Sequence, residues 1–111
     1  DFAESFGYGV VYDLCGHGIG KALHEDPEIP NFRRKWPHKG LKLKPGMTLA
    51  VEPMINIGSP GVVWLDDEWT VVSEDLSLSA HYENTILITE GKPEILSITE
   101  EEKEAGFLEL F

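Results

Sequence analysis

The sequence predicts a single α+β domain built mainly on an antiparallel or mixed sheet. The chain has 111 residues, which is within the range of one domain. Hydrophobic residues make up 41% of it and charged residues 26%, close to the usage of ordinary globular proteins. Several short runs of β-branched and aromatic residues are separated by glycine and proline, which is typical of short strands joined by turns.

The first half of the chain begins with a helix end and continues with extended segments. Residues 1–7 are typical of the last turn of an amphipathic helix closing on glycine, and because the chain begins with Asp we expect a piece of a longer protein. Residues 8–14 predict a strand, and the glycines of 16–20 predict a functional loop or an irregular strand. Residues 26–46 hold four prolines and six basic residues, so we expect a long surface connection there.

Strand signals continue in the second half of the chain. Residues 47–51 and 54–57 are apolar runs on either side of Glu52 and Pro53, and the segment 58–61 predicts a turn. Further strand candidates are 69–72, 82–89 and 95–98. These runs are short and punctuated, which favours antiparallel or mixed pairing.

One short helix is predicted near the end of the chain. Thr99 is followed three residues later by Glu102, the spacing of a capping box that satisfies free backbone donors. Apolar side chains that follow are expected to dock this helix on the sheet: Phe107, Leu108, Leu110 and Phe111.

Charge and cysteine content exclude several classes of partner. Nine basic against 20 acidic residues give a formal net charge of -11, which would repel nucleic acid and acidic lipid. No apolar run reaches the roughly 20 residues of a membrane helix, and there is no basic, apolar signal segment. Cys15 is the only cysteine, so an internal disulfide is excluded and a reducing cytoplasm is the expected location.

Three residues carry the strongest signal for chemistry. His17 lies among glycines, which leave space for a ligand beside the imidazole. Glu52 and Glu83 border apolar strand segments, where a buried carboxylate needs a partner or a metal. Together they form a plausible ligand set for a divalent cation that would support metal-assisted hydrolysis. The spacing alone leaves open a turn histidine with two glutamates that face solvent.

A combination of short motifs resembles the C-terminal half of type I methionine aminopeptidase. The matching segments are 15–20 (CGHGIG), 24–27 (HEDP), 43–47 (LKPGM), 52–54 (EPM), 69–71 (WTV) and 79–83 (SAHYE). Their order and spacing agree with that family from about residue 6 to about residue 97. The resemblance implies the pita-bread fold, in which two similar α/β halves with a curved, mainly antiparallel sheet enclose a metal site, and it makes residues 1–111 the C-terminal part of one catalytic domain.

The resemblance also implies roles for individual residues. His17, Glu52 and Glu83 would be metal ligands for two divalent ions (Co, Mn, Fe or Zn), with Glu52 assisting proton transfer and Glu83 bridging the ions. His24 would contact the scissile amide. Leu23 and Trp69 would line the pocket for the methionine side chain of N-terminal methionyl peptides from nascent chains. Cys15 is expected to be a small packing residue beside the metal loop.

Some parts of the family pattern are missing or different in this sequence. The family uses two aspartate ligands and a further histidine from the N-terminal half, so we expect this chain to need that half as a partner and to be a poor catalyst alone. His81 and Asn84 stand where relatives commonly have Gln and His. The alternatives are an aminopeptidase P or creatinase-like hydrolase, and a metal-free binding module with the same fold.

Overall fold

The described part of the chain, residues 1–33 and 40–107, forms ten short strands and two short helices in this computed structural model. The helices are α1 (Phe2–Ser5) and α2 (Glu100–Glu104). The strands are β1 (Gly9–Val10), β2 (Gly16–Gly18), β3 (Glu25–Ile29), β4 (Thr48–Val51), β5 (Met54–Asn56), β6 (Val62–Trp64), β7 (Val71–Ser73), β8 (Ser79–His81), β9 (Asn84–Leu87) and β10 (Glu94–Ile95). They form a five-stranded sheet ordered β10-β9-β4-β2-β3, a three-stranded sheet ordered β1-β5-β8, and the β6-β7 hairpin.

Every strand pairing among the described residues is antiparallel, which confirms the predicted α+β class with a mainly antiparallel sheet. β4 is the central strand of the larger sheet, and its Leu49 and Ala50 are almost completely buried. Val10 and Val11 are buried beside β5, and the backbone N–H of Val11 donates to the carbonyl of Met54. The buried apolar residues of the described part of the chain are therefore divided between the two sheets.

Several predicted strands are shorter or shifted, the one over 82–89 being regular only over β9, and the strands β6 and β8 were not predicted. The strand expected over 8–14 is regular only over β1, and the one expected over 69–72 begins at Val71 because Asp67 accepts hydrogen bonds from the backbone of Trp69 and Thr70 in a turn. The strand expected over 95–98 is the two-residue β10. β6 pairs with β7 after the predicted turn at 58–61.

The predicted connection over 26–46 contains β3, which is a correction to the sequence-based expectation. Pro27 lies inside this strand. No strand was predicted there because proline has no N–H to donate to a neighbouring strand. β3 is the edge of the five-stranded sheet, and an edge strand tolerates proline. Residues 34–39, including His38, lie outside the described part of the chain.

Two glycines allow the backbone of β2 to lie unusually close to those of its neighbours β3 and β4. A Cβ atom on Gly16 would lie 2.3 Å from the Ala50 carbonyl oxygen, and one on Gly18 would lie 2.1 Å from the Asp26 carbonyl oxygen. Both positions therefore exclude any side chain. This close approach fixes the backbone of β2 on either side of His17.

The capping box predicted at Thr99 is present at the start of α2. Thr99 accepts from the backbone N–H of Glu102, and the Glu102 carboxylate accepts from the backbone N–H of Thr99 at 2.8 Å. The ring of Phe107 lies 5.8 Å from that of Tyr82, so this part of the predicted docking is confirmed. The other expected docking residues, at 108–111, lie outside the described residues. Among the described helices, none is long and apolar enough to cross a bilayer.

Candidate metal centre

Glu52 and Glu83 are brought together by two matching interruptions in neighbouring strands. Glu52 and Pro53 separate β4 from β5, while Tyr82 and Glu83 separate β8 from β9. β4 pairs with β9 and β5 pairs with β8, so the two interruptions lie side by side. Pro53 has no N–H to extend the ladder, which gives a reason for the first break. The two carboxylates, 31 positions apart in sequence, consequently meet at the junction of the two sheets.

His17 reaches the same junction from β2. It pairs with Ala50 on β4, two positions before Glu52, and side chains two apart along a strand share a face. One ligand atom from each of His17, Glu52 and Glu83 lies within 4.8 Å of the other two. The three residues singled out in the sequence thus form one cluster in space.

The two carboxylates occupy different surroundings. The Glu52 side chain is only 15% exposed, with Oε1 3.3 Å from Nε2 of His17 and Oε2 3.4 Å from Nε2 of His81. Its backbone carbonyl accepts from Nδ2 of Asn31 at 3.1 Å. Glu83 is exposed, so the expectation that it is buried was wrong. Solvent therefore reaches the Glu83 side chain, whereas it is largely excluded from that of Glu52.

The hydrogen bonding of His17 leaves its Nε2 available as a metal ligand in this cluster. Nδ1 of His17 lies 2.8 Å from the carbonyl oxygen of Gly18, which can only accept, so a neutral ring carries its proton on Nδ1. The lone pair of Nε2 then faces a carboxylate oxygen of Glu52. Two electron-rich atoms at this distance repel each other unless a metal cation lies near both or a second proton on the ring lies between them. A nitrogen ligand oriented by a backbone carbonyl, with two carboxylates, is a donor set that suits a divalent transition metal.

Of the other predicted site residues, His24 contacts this cluster. The ring of His24 contacts that of His17 edge to face, with ring centroids 4.4 Å apart, and His24 is exposed. Leu23 is 67% exposed and Trp69 is 87% exposed, so both side chains are accessible to a ligand. Cys15, half-buried, lies immediately before β2.

Comparison with known proteins places this arrangement in a family. A sequence model of metallopeptidase family M24 matches residues 1–90. The chain belongs to metallopeptidase family M24. It is 55% identical over 100 residues to the methionine aminopeptidase of Clostridium acetobutylicum, and 50% identical over 96 residues to methionine aminopeptidase 1 of Bacillus subtilis. These matches cover 90% and 86% of this chain, and 39% and 38% of the two relatives.

Solved structures of M24 proteins confirm the predicted fold. The crystal structure of methionine aminopeptidase from Thermotoga maritima matches with a TM-score of 0.81 and 50% identity, over 87% of this chain and 38% of that one. The Rickettsia prowazekii methionine aminopeptidase matches with a TM-score of 0.82 and 45% identity, over 87% and 39% of the two chains. This M24 chain therefore has the pita-bread fold, and it spans about two fifths of the length of the relatives it matches.

Two residues at the centre were missed by sequence reasoning. Asn31 holds the Glu52 carbonyl from a segment that the sequence presented as a surface connection. His81 was noticed only as a departure from the family pattern, and its contact with Glu52 depends on the pairing of Met54 with His81. A polar side chain next to a predicted ligand was the available signal for His81. Asn31 offered none, because its partner is a backbone group 21 positions away.

Proposed function

We propose that this chain supplies a metal-binding and substrate-facing part of an enzyme that removes the N-terminal methionine from nascent polypeptides. The observation that carries the proposal is the convergence of His17, Glu52 and Glu83 within 4.8 Å at the junction of two sheets. Membership of family M24 supports a metal-dependent peptidase, and the similar proteins are methionine aminopeptidases. Residues 1–111 would be the C-terminal part of one catalytic domain.

His17, Glu52 and Glu83 are the residues that would hold the metal. The site is proposed to take two divalent ions (Co, Mn, Fe or Zn), and Glu83 would be among the residues that hold them. Divalent metals at such a site lower the pKa of water and polarise a carbonyl, which supplies a nucleophile at neutral pH. Three protein ligands leave room for substrate and for ligands from the rest of the domain.

The remaining residues are assigned by their accessibility and chemistry. The Glu52 carboxylate would accept a proton from the attacking water and return it to the leaving amine, as general acid and base. His24 is exposed beside His17, a position that suits hydrogen bonding to the scissile amide. The exposed apolar side chains of Leu23 and Trp69 would contact the methionine side chain of the substrate.

Two further parts of the proposal concern the protein's surroundings. The aspartate ligands that the family uses lie outside this chain, so an N-terminal half of the domain is its proposed partner. The strongly acidic composition supports the absence of nucleic acid and acidic membrane among its partners. A single cysteine supports a cytoplasmic location.

Methionine release from a Met-Ala-Ser peptide tests the proposal. The chain would be stripped of metal and titrated with Mn²⁺ or Co²⁺, alone and mixed with the part of the Clostridium acetobutylicum relative that it does not match. We expect little release from the chain alone and restored release from the mixture. Glu52→Gln should abolish the restored activity, while Glu90→Gln, a matched change at an exposed glutamate beyond β9, should not.

The substrate and the control reactions separate the alternatives. Release of the first residue from an X-Pro peptide in place of Met-Ala-Ser would indicate a proline-directed hydrolase. Peptide binding without any metal dependence would indicate a binding module. Strong release by the chain alone would contradict the proposed need for a partner half.

A further inference from the structure

His81 lies beside the candidate metal centre without belonging to its ligand group. Its Nε2 is 3.4 Å from Oε2 of Glu52, and its side chain is 48% exposed. Among the described residues, the group whose ligand atoms lie within 4.8 Å of one another holds His17, Glu52 and Glu83, and it does not include His81. His81 therefore contacts a proposed ligand from outside.

The Glu52 carboxylate is shared between two imidazoles. Oε1 faces Nε2 of His17 at 3.3 Å, and Oε2 faces Nε2 of His81 at 3.4 Å. A glutamate side chain with no donor at its carboxylate can change rotamer, whereas a hydrogen bond to Oε2 holds the side chain and its carboxylate in one orientation. The second contact thus fixes the direction in which Oε1 presents its lone pairs.

The strand pairing explains why His81 occupies this place. His81 is the last residue of β8 and pairs with Met54, two positions after Glu52. It is also two positions before Glu83, so the pleat places His81 and Glu83 on the same side. Tyr82, between them, points elsewhere: its hydroxyl contacts Glu102 at 2.7 Å.

We propose that His81 is a positioning residue that donates from Nε2 to Oε2 of Glu52 and so orients Oε1 toward the metal. Outer partners of this kind orient the ligands of a metal and raise its affinity. The inference rests on the proposed function, because it assigns a role toward the same metal centre.

Substitution of His81 followed by Co²⁺ titration tests the inference. His81→Leu removes the donor, and it should weaken Co²⁺ binding to the 111-residue chain by about 10- to 100-fold, measured from the visible absorption of bound Co²⁺. His81→Gln keeps an N–H donor and should restore binding to within about threefold of wild type. Tyr82→Phe is the matched control, since it removes a hydrogen bond from the adjacent residue on the other side.

A second measurement needs no metal. In NMR spectra of the metal-free chain, the two Cγ protons of Glu52 should have distinct chemical shifts while the side chain is held in one rotamer. They should merge toward one shift in His81→Leu and separate again in His81→Gln. Tyr82→Phe should leave them distinct.

Each outcome either supports or overturns the role of His81. Loss in His81→Leu with rescue in His81→Gln, in both measurements, supports it. Unchanged behaviour of His81→Leu overturns it, and so does equal loss in both variants, which would make the imidazole itself a ligand. If the wild-type chain binds no Co²⁺ even when mixed with the part of the Clostridium acetobutylicum relative that it does not match, the proposed function fails, while the Cγ proton shifts still decide whether His81 holds Glu52.

Discussion

The junction of the two sheets and the outer turns are held together in different ways. At the junction, Gly16 and Gly18 let β2 lie so close to β3 and β4 that a Cβ atom would overlap a backbone carbonyl. The outer turns depend on exposed carboxylates. Asp75 accepts from the backbone N–H groups of Ser59 at 2.7 Å and Ser77 at 3.0 Å, and Asp67 accepts from Trp69 and Thr70.

The residues of the cluster and the outer turns therefore differ in what holds their backbone in place. The backbone that carries His17 is fixed by packing, which does not change with pH or with surface charge. The outer turns are fixed by ionised groups, and hydrogen bonds from backbone N–H groups hold the pKa of Asp75 at about 2. We therefore expect changes at the junction to disturb metal binding or folding strongly, and changes in the outer turns to act locally.

The largest expected effect comes from removing a ligand at the junction. Glu52→Gln and Glu83→Gln should each lower the affinity for Co²⁺ by more than about 100-fold, because losing a ligand costs more than losing an outer partner. Isothermal titration calorimetry with Co²⁺ measures this. Glu90→Gln serves as the control and should bind as wild type does. Equal weakening in all three variants would mean that binding follows overall charge and not the cluster.

A methyl group between β2 and β3 should destabilise the whole fold. Gly18→Ala places a Cβ atom 2.1 Å from the Asp26 carbonyl oxygen, and relieving that overlap should cost about 2–3 kcal/mol of unfolding free energy. Urea denaturation followed by circular dichroism measures the loss. Gly91→Ala, where a Cβ atom meets nothing within 4 Å, should change stability by less than about 0.5 kcal/mol. Equal stability of the two variants would refute the close approach of β2 to β3 at Gly18.

The cap of α2 should matter less. Thr99→Ala removes the side chain that accepts from the N–H of Glu102, which should cost about 1 kcal/mol. Thr99→Ser keeps the hydroxyl and should retain most of this stability in the same denaturation experiment. Co²⁺ affinity should be unchanged in both variants. A large loss of metal binding in Thr99→Ala would show that α2 and the junction are coupled.

The smallest effect should be a pH-dependent one at Asp75. Its folded pKa of about 2 is below the ordinary value of 3.8, so the ionised form stabilises the fold above pH 4 and this contribution is lost as pH falls toward 2. The difference in melting temperature between wild type and Asp75→Asn should therefore be constant near neutral pH and shrink between about pH 4 and 2. A difference that does not vary with pH would contradict the hydrogen-bonded carboxylate.

Local sequence signals predicted the elements whose chemistry is local. The capping box at Thr99 and the apolar run of β4 are readable because their defining residues are neighbours in sequence. The clustering of His17, Glu52 and Glu83 was also predicted, since each stands out against glycine-rich or apolar surroundings, while their role as ligands stays a prediction. For each of them, a polar side chain within an apolar or glycine-rich segment was the signal.

Features that depend on strand pairing were not predictable from the sequence. The exposure of Glu83 depends on how the segment between β8 and β9 packs against the rest of the fold. The contact between His81 and Glu52 depends on the register of β5 and β8, since the two residues are 29 positions apart. β3 escaped because Pro27 disfavours a strand until the segment is known to lie at a sheet edge. β6 needs its partner β7 to be recognised as half of a hairpin.

The central claim is that His17, Glu52 and Glu83 hold a divalent metal, and paramagnetic broadening by Mn²⁺ tests it most directly. Substoichiometric Mn²⁺ added to the isotope-labelled chain broadens the NMR signals nearest to it first. The claim predicts that signals of residues 16–18, 51–53 and 82–84 disappear before all others. Broadening that starts at the acidic first turn of α2, or that spreads evenly over the exposed carboxylates, would contradict it.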